Sequence, residues 1–260
     1  MNLNLKEKVI IVSGGAKGIG EGIVNQLALE GAFPVIVGNN ENDNALALEK
    51  IMAAGGFGFT VEVELTDPDQ CKKAIDLVME RFGTIHGLVN NAGSNDGVSL
   101  ENGTYEGFLS SYHKNTVHYY LLAHYALPAL KITKGSIVNI SSKVAETGQG
   151  GTSGYAAANG ARNALTREWA VELLKYGIRV NSVIVAECLT PMYKDWLAAM
   201  PNQVEVLEKI NQRIPLGKRM TSTEELANMV VFLMSNRSSH TTGQLIHVDG
   251  GYVHLDRALL

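Results

Sequence analysis

Short apolar runs alternate with helix-forming stretches along the chain. Most of the runs are rich in Val and Ile and end in Gly, Asn, Ser or Asp; they read KVIIVSGG, FPVIVGNN, FGFTVEVEL, IHGLVNNAG, GSIVNISS, IRVNSVIVA and QLIHVDGG. Such runs predict strands that are buried on both faces, as in a parallel sheet. The stretches between them predict helices over residues 20–30, 67–82, 105–130, 153–176 and 223–234.

The order of these elements predicts an α/β fold. Strands that alternate with helices form a Rossmann-like, doubly wound parallel sheet, here of about seven strands, with helices on both faces. No Pro/Ser-rich linker or block of charge divides the chain, so residues 1–260 are expected to form one domain. Ligands bind such sheets beyond the carboxyl ends of the strands, and the chemistry is expected there.

The composition is that of an ordinary folded protein. Hydrophobic residues make up 45% of the chain and charged residues 18%, which argues against disorder. The net charge of −4 favours neither a nucleic acid nor an anionic membrane as a partner. The N-terminal stretch resembles no signal peptide, and no apolar run approaches the ~18 residues of a membrane span. A cytoplasmic location is therefore expected.

Cysteine and histidine residues indicate no metal or redox motif. The chain has two cysteines, Cys71 and Cys188; a disulfide between them stays open, but a reducing compartment fits better. The seven histidines form no H-x-x-x-H pair with a third ligand, so no metal is expected. His118 and His124 are interpreted as structural or surface residues. The role of His254 stays open, because the tail could fold over an active site.

A glycine-rich turn, SGGAKGIG, follows the first predicted strand and opens the first predicted helix. Gly14 allows a tight exit from the strand, Gly18 lets a pyrophosphate approach the backbone, and Gly20 allows the helix to pack closely on the strand. The helix N-terminus adds free N–H groups and the positive end of its dipole. A structural turn can have the same glycines, but the strand–turn–helix setting favours a dinucleotide site.

The end of the second predicted strand bears on which dinucleotide binds. A carboxylate there bonds the ribose hydroxyls of NAD and repels the 2′-phosphate of NADP. This strand instead ends in Gly38, Asn39 and Asn40, and Lys17 in the glycine turn could meet a phosphate. The sequence therefore leans towards NADP, although Asn side chains can also bind a ribose diol and Lys17 could equally be solvated.

Taken together, SGGAKGIG, the NNAG of residues 90–93, Asn115, Ser142 and Tyr155 resemble the short-chain dehydrogenase/reductase family. The resemblance extends from the first strand to the VDGG near the C-terminus. It implies an enzyme that moves a hydride between NAD(P) and an alcohol or carbonyl. It also implies a homotetramer or homodimer, in which apolar helical faces over residues 119–130 and 164–169 could form interfaces as well as core.

The resemblance implies roles for individual residues. Tyr155 matches the family's general acid/base, Ser142 the serine that hydrogen-bonds the reacting oxygen, and Asn115 the asparagine that holds a water in the proton relay. The positions that match the cofactor site are Gly14, Lys17, Gly18, Ile19, Gly20, Asn39, Glu64, Leu65, Asn91, Ala92, Gly93, Tyr155 and Thr190.

Several stretches, among them SSKVAETGQGGTSGY, LTREWAVEL and VDGGYVHLDRAL, are similar to bacterial L-fucose dehydrogenases. This resemblance implies oxidation of L-fucose or a similar free aldose at C1 to the lactone. Polar or aromatic residues on loops beyond strand ends are the candidates for binding the sugar, namely Asn95, Asp96, Gln149, Glu187 and Trp196. Glu187 is preferred among them, because one carboxylate can bind two hydroxyls.

One departure from the family concerns the position four residues after the tyrosine, where the family has a lysine and this chain has Asn159. A neighbouring cation favours the ionised phenol, and an amide cannot replace that charge. We therefore expect NAD(P) binding with slow turnover, reduced by a factor on the order of 10²–10³. Three explanations are open: a diverged natural enzyme, an introduced substitution, or another cation. The sequence-near cation is Lys143, which is expected to face solvent.

Two other functions stay open. A carbonyl reductase acting on a steroid-like substrate would need an apolar pocket where the sugar hypothesis expects a polar one. A catalytically silent dinucleotide-binding protein would account for Asn159.

Overall fold

The computed structural model describes residues 2–256. Within these residues the strands are β1 Val9–Ser13, β2 Phe33–Gly38, β3 Phe59–Glu62, β4 Gly87–Asn90, β5 Ser136–Ser142, β6 Arg179–Val185 and β7 Leu245–Val248. They form a seven-stranded parallel sheet in the order β3-β2-β1-β4-β5-β6-β7. The predicted α/β, Rossmann-like fold is confirmed. The strand order reverses between β1 and β4, which opens a crevice at the carboxyl ends of the strands.

Helices cover both faces of the sheet. Their bounds are α1 Gly18–Leu29, α2 Glu41–Ala53, α3 Pro68–Phe82, α4 Tyr105–Tyr112, α5 His118–Thr133, α6 Ser153–Glu172, α7 Pro191–Ala198, α8 Gln203–Gln212 and α9 Thr223–Met234. One apolar core joins α3, α5 and α6 to the sheet, and the other joins α1, α2 and α9 to the opposite face. Both cores combine Val, Ile and Leu residues of the predicted strands with apolar residues of the helices.

Three of these helices, α2, α7 and α8, were not predicted. The α2 stretch, ENDNALALEKIMA, buries only Asn44, Ala47 and Ile51, so its apolar stripe is too narrow to stand out in the sequence. Its start is fixed by the side chain of Asn40, which accepts a hydrogen bond from the N–H of Asp43. Helix α8 has no buried residue.

The predicted helix over residues 105–130 is interrupted. Helix α4 ends at Tyr112, a π-helical turn spans His113–Val117, and α5 continues beyond it. The turn buries Asn115, whose Nδ2 donates to the carbonyls of Ser111 (2.9 Å) and Ser94 (3.0 Å). Single π-helical turns inside helices often occur at functional sites, and this one lies against the crevice.

Both cysteines are buried and unpaired. Burial raises the pKa of the Cys71 thiol to about 11 and that of the Cys188 thiol to about 12, so both are unreactive thiols at neutral pH. Across residues 2–256, no helix combines the length and the apolar character needed to cross a membrane.

Candidate active site

A cleft of about 1880 Å³ lies beyond the carboxyl ends of the strands. Most of the predicted site residues line it: Gly14, Lys17, Gly18, Ile19, Asn39, Glu64, Leu65, Asn91, Ala92, Gly93, Asn95, Ser142, Gln149, Tyr155, Glu187, Thr190 and Trp196. Four predicted residues do not line it: Gly20, Asp96, Asn115 and Asn159. The sequence motifs therefore converge on one cleft, which is large enough for a dinucleotide and a small substrate.

The glycine turn has the backbone shape that a pyrophosphate site needs. Gly14 and Gly18 have φ values of +64° and +58°, which side chains rarely allow. A Cβ on Gly20 would lie 2.0 Å from the carbonyl oxygen of Gly14, so only glycine fits between turn and strand. Helix α1 begins at Gly18, and Lys17 before it makes no side-chain cap. The first N–H groups of the helix thus remain for an anion, and these residues fit a dinucleotide.

At the adenosine end of the cleft, the charged side chains are already paired. The Nζ of Lys17 lies 2.6 Å from Oδ2 of Asp43, the third residue after the N-cap of α2. The Nδ2 of Asn39 donates to Oε2 of Glu64 at 3.0 Å. This bond, together with the N–H of Thr66, lowers the pKa of the Glu64 carboxyl, so Glu64 is ionised at neutral pH. Sequence analysis missed Asp43, which lies in the unpredicted helix.

Ser142 and Tyr155 approach the cleft from two elements that are tied together. Ser142 ends β5, and its Oγ accepts a hydrogen bond from the N–H of Val144 at 3.4 Å. Tyr155 lies in the first turn of α6 and is half-buried. The hydroxyl of Ser141 donates to the carbonyl of Asn159 at 3.3 Å, which joins β5 to α6. The alcohol and the phenol are both available to a ligand in the cleft.

Asn159 is fully buried and holds two partners on its own helix. Its Nδ2 donates to the carbonyl of Tyr155 at 2.8 Å, and its Oδ1 accepts from Nη1 of Arg162 at 3.0 Å. The amide therefore uses both its donor and its acceptor ends inside the protein. It does not line the cleft.

Arg162 is a residue that sequence analysis missed. It is only 3% exposed, yet it lines the cleft. Its Nε donates to the carbonyl of Asn115 (2.7 Å), Nη1 to the carbonyl of Ile140 (3.2 Å), and Nη2 to Oδ1 of Asn115 (3.4 Å). Its guanidinium carbon lies 4.3 Å from the ring centroid of Tyr119. The available signal was its position seven residues after Tyr155, on the same helical face.

The pKa of His118 is lowered by its burial and by the charge of Arg162. Its Nε2 lies 2.9 Å from the carbonyl of Lys114, which makes Nε2 the protonated nitrogen, and its buried Nδ1 has no hydrogen-bond partner among residues 2–256. Burial lowers the pKa of His118 to about 3, and the charge of Arg162 adds to the effect. Tyr119 is also buried, which raises the pKa of its phenol. The expectation of a structural role fits the burial of His118, which also lines the cleft.

The expectation that Lys143 faces solvent is wrong. Lys143 is 7% exposed and forms an ion pair with Oε1 of Glu187. The other carboxylate oxygen of Glu187 accepts from the hydroxyl of Tyr193 at 2.7 Å, and Lys143 Nζ lies 4.0 Å from the ring centroid of Tyr252. Burial, followed by the bond to Glu187, raises the pKa of Tyr193. Sequence analysis could not see this pair because its members lie 44 positions apart.

The remaining predicted substrate residues differ in placement. Asp96 accepts from the hydroxyl of Ser111 at 2.9 Å and lies 3.7 Å from Nζ of Lys114, so its carboxylate turns towards α4 instead of the cleft. Trp196 is 46% exposed, and its ring packs edge-on against Tyr193 at 5.2 Å between centroids. The substrate end of the cleft thus has an aromatic surface next to hydrogen-bonding groups.

A cluster of Glu146, His247 and His254 lies outside the cleft lining. Among the described residues, it is the group of three potential ligands whose ligand atoms lie within 4.8 Å of one another. His247 Nε2 is 2.9 Å from Oε2 of Glu146, and the rings of His247 and His254 are 4.3 Å apart between centroids. His254 therefore packs against the end of β7 and does not cover the site. The absence of a metal stays a prediction.

The fold and the site define a dinucleotide-dependent oxidoreductase, and comparison with known proteins gives its family. A family model described as enoyl-(acyl carrier protein) reductase matches residues 14–253. A 3-oxoacyl-(acyl-carrier-protein) reductase from Thermotoga maritima is 35% identical over 255 residues, which cover 96% of this chain and 100% of that protein. The chain belongs to the short-chain dehydrogenase/reductase family and is an enzyme of that family, whose members generally bind NAD(P).

Two further proteins are similar to this chain over most of its length. An L-fucose dehydrogenase from Oryctolagus cuniculus is 34% identical over 245 residues, which cover 94% of this chain and 84% of that protein. The crystal structure of the Cj0485 dehydrogenase superposes with a TM-score of 0.94 at 45% identity, and covers 100% of this chain and 99% of the other. The fold is thus shared across dehydrogenases with different substrates.

Proposed function

We propose that this enzyme oxidises a free sugar, L-fucose or a similar aldose, at C1 to the lactone with a nicotinamide dinucleotide. The observation that supports this is the polar substrate end of the cleft, where the ion pair of Lys143 and Glu187 and the hydroxyl of Tyr193 form one hydrogen-bonded group. Sugar hydroxyls can form hydrogen bonds with the same groups, and Trp196 offers a ring on which a sugar face can stack. Asn95 and Gln149 line the same cleft.

In this mechanism Tyr155 is the base and Ser142 orients the substrate. A nicotinamide dinucleotide, when bound, supplies the acceptor for the hydride that leaves C1. The phenolate of Tyr155 takes the proton of the C1 hydroxyl as the C1–O double bond of the lactone forms. The Ser142 hydroxyl donates to the reacting oxygen and fixes its distance from Tyr155. Thr190, which caps α7 and lies within 3.2 Å of a Cβ built on Gly18, supports the cofactor at that point.

We infer NAD as the preferred cofactor, although the sequence pattern leans towards NADP. Lys17 is paired with Asp43 at 2.6 Å, so its charge is offset before any phosphate arrives. Glu64 is ionised and is held by Asn39 at 3.0 Å. Two carboxylates against one lysine favour a neutral ribose diol, because a 2′-phosphate would meet net negative charge. Asn39 and Glu64 are then the residues that bond the diol.

We also propose that the enzyme works as a homotetramer or homodimer. Large apolar side chains are exposed on α4 and α5, namely Tyr105, Phe108, Leu109 and Tyr120, and Val171 is 70% exposed on α6. Exposed aromatic and aliphatic groups are enriched on surfaces that another protein covers. Light scattering coupled to size-exclusion chromatography measures the assembly, and a monomer at micromolar concentration would contradict it.

The experiment that tests the function is a panel of free aldoses and apolar alcohols, each with NAD and with NADP, followed by absorbance of the reduced nicotinamide. We expect turnover with L-fucose or a stereochemically related aldose, and a higher kcat/KM with NAD. Turnover with steroid-like alcohols or with 3-oxoacyl substrates alone would instead favour a carbonyl reductase, for which Met192 and Ile210 supply apolar lining. Nucleotide binding without turnover on any substrate would favour the silent protein.

A further inference from the structure

The cleft contains a buried positive charge that no carboxylate balances. Arg162 is 3% exposed, and its hydrogen-bond acceptors are the carbonyls of Asn115 and Ile140 and the side-chain oxygens of Asn115 and Asn159. All of these acceptors are neutral, and Arg162 forms no ion pair within residues 2–256. Burying a cation without a counter-charge is costly. An anion that forms in the cleft would recover part of that cost.

We propose that Arg162 supplies the positive charge that the Tyr155–Asn159 face of α6 otherwise lacks, with Asn159 as the residue that positions it. This inference rests on the proposed function, in which Tyr155 acts as the base. The geometry joins the three residues in one chain of contacts. Asn159 Nδ2 donates to the backbone carbonyl of Tyr155 at 2.8 Å, and Nη1 of Arg162 donates to Asn159 Oδ1 at 3.0 Å.

Helical spacing makes this arrangement possible. Residues 155, 159 and 162 are separated by four and three positions, so they lie along one face. Side chains on a helix point towards its N-terminus, which directs the long Arg162 side chain back towards Asn159 and Tyr155. Arg162 and Tyr155 also line the same cleft, so a cation that begins two turns after the tyrosine reaches the cavity that the tyrosine lines.

An amide at position 159 suits an arginine at position 162. The Oδ1 of Asn159 accepts a hydrogen bond from the guanidinium, whereas a lysine there would place a second cation beside the first. Like charges at this distance in a buried site disfavour each other. Asn159 is then an adapted partner of Arg162, and the expected weakness of the enzyme does not follow from it.

Arg162 also contacts Asn115, the residue predicted to hold a water of the proton relay. The carbonyl of Asn115 accepts from Nε of Arg162 at 2.7 Å, and its Oδ1 accepts from the N–H of Ser94 at 2.9 Å and from Nη2 of Arg162 at 3.4 Å. Both oxygens of Asn115 therefore accept a hydrogen bond from Arg162. A guanidinium keeps its protons at any accessible pH. Arg162 therefore provides charge and position, and it does not itself relay the proton of Tyr155.

The test compares four variants with the natural chain: Arg162→Leu, Asn159→Lys, the double variant Asn159→Lys/Arg162→Leu, and Arg167→Leu. The last is the matched control, because Arg167 is an exposed arginine on the same helix. We expect Arg162→Leu to lower kcat on the order of 10²–10³-fold with unchanged NAD affinity. Asn159→Lys alone should lower the rate. The double variant should recover at least about ten-fold over Arg162→Leu, because an ammonium again lies four residues from the phenol. Arg167→Leu should change nothing.

A second readout does not depend on turnover. The pKa of Tyr155 is measured by tyrosinate absorbance as the difference between each protein and its Tyr155→Phe version, with NAD bound. We expect Arg162→Leu to raise that pKa and the double variant to lower it again. No variant replaces the titratable side chains of the neighbouring segments, which include Asp96, His113, Lys114, His118, Tyr119, Lys143, Glu146 and Glu187.

The outcomes separate the alternatives. If Arg162→Leu lowers only thermal stability and leaves both kcat and the Tyr155 pKa unchanged, Arg162 is a structural brace and the inference is overturned. A ten-fold gain in rate from Asn159→Lys alone would also overturn it and support a damaged lysine site. If the natural chain oxidises no sugar, the proposed function fails while the phenol titration still decides the role of Arg162.

Discussion

Two buried cations lie in this cleft, and they have opposite surroundings. Lys143, after β5, is paired with Glu187 and covered by the ring of Tyr252. Arg162, on α6, is bonded only to neutral oxygens and to the ring of Tyr119. Their exposures are 7% and 3%, so burial does not distinguish them. The lysine is neutralised within the protein, and the arginine is not.

The difference teaches that a buried charge must be judged with its partners. An ion pair adds little net field at a distance, because its two charges cancel. A guanidinium held by carbonyls keeps its full charge and can act on an ionising phenol or substrate. Lys143 therefore forms a neutralised part of the cleft lining, while Arg162 is suited to the proposed electrostatic support of Tyr155. The following experiments test that contrast.

The largest effect is expected for Tyr155→Phe, which removes the group on which the unbalanced charge would act. General acid/base groups contribute about 10²–10⁴-fold, so kcat/KM should fall by roughly 10³-fold. In this background Arg162→Leu should cost little more, because the two residues act as a unit. Glu187→Gln should still lower stability. The control is Tyr105→Phe, at an exposed tyrosine on α4. Full additivity of the Tyr155 and Arg162 changes would contradict the contrast.

The next effect is on stability and concerns the paired cation. Glu187→Gln leaves Lys143 without its counter-charge, and breaking one side of a buried pair costs on the order of 3 kcal/mol. Urea denaturation measures the change in the free energy of unfolding. Replacing both members, as in Lys143→Met/Glu187→Leu, should restore most of the loss. The matched control is Glu205→Gln, in an exposed pair with Lys209, which should cost about 0.5 kcal/mol or less. Equal losses would show that the buried pair contributes no more than a surface pair.

The smallest effect is expected in the pH dependence of stability that His118 causes, and it distinguishes Arg162 from Lys143. Burial and then Arg162 hold its pKa at about 3, below the value near 6.5 of an unfolded chain. The unfolded state therefore binds the proton first, and stability is lost as pH falls from 6.5 towards 3. Arg162→Leu should raise the folded-state pKa and make the total loss of stability smaller, whereas Lys143→Met should leave it unchanged. Histidine NMR titration measures both, and equal shifts in the two variants would remove the distinction.

Patterns of nearby residues were sufficient for the fold and for much of the site. The Val/Ile runs predicted the strands, and SGGAKGIG predicted a turn at Gly14 and Gly18, where the backbone has positive φ. Ser142 and Tyr155 were identified through the family resemblance of the stretches around them, and both line the cleft. These features depend on short stretches of sequence, which is why they were predictable.

What could not be predicted depends on distant partners. Lys143 meets Glu187 across 44 positions, and Arg162 meets Asn115 across 47. The pairing of Lys17 with Asp43 could not be predicted, because Asp43 lies in α2 and this helix has too few apolar residues to be recognised in the sequence. Whether a charge is neutralised is a property of the packed chain. The sequence therefore showed the missing lysine but not the arginine three residues later.

The hydrogen bond between Asn159 and Arg162 has a consequence for how such a site could change over generations. A return to a lysine-based site needs two substitutions. If Asn159 changes to lysine first, the intermediate has two adjacent cations; if Arg162 is replaced first, it has none. Either intermediate is poorer than both endpoints, so the two positions are expected to be exchanged together, within a single turn of one helix.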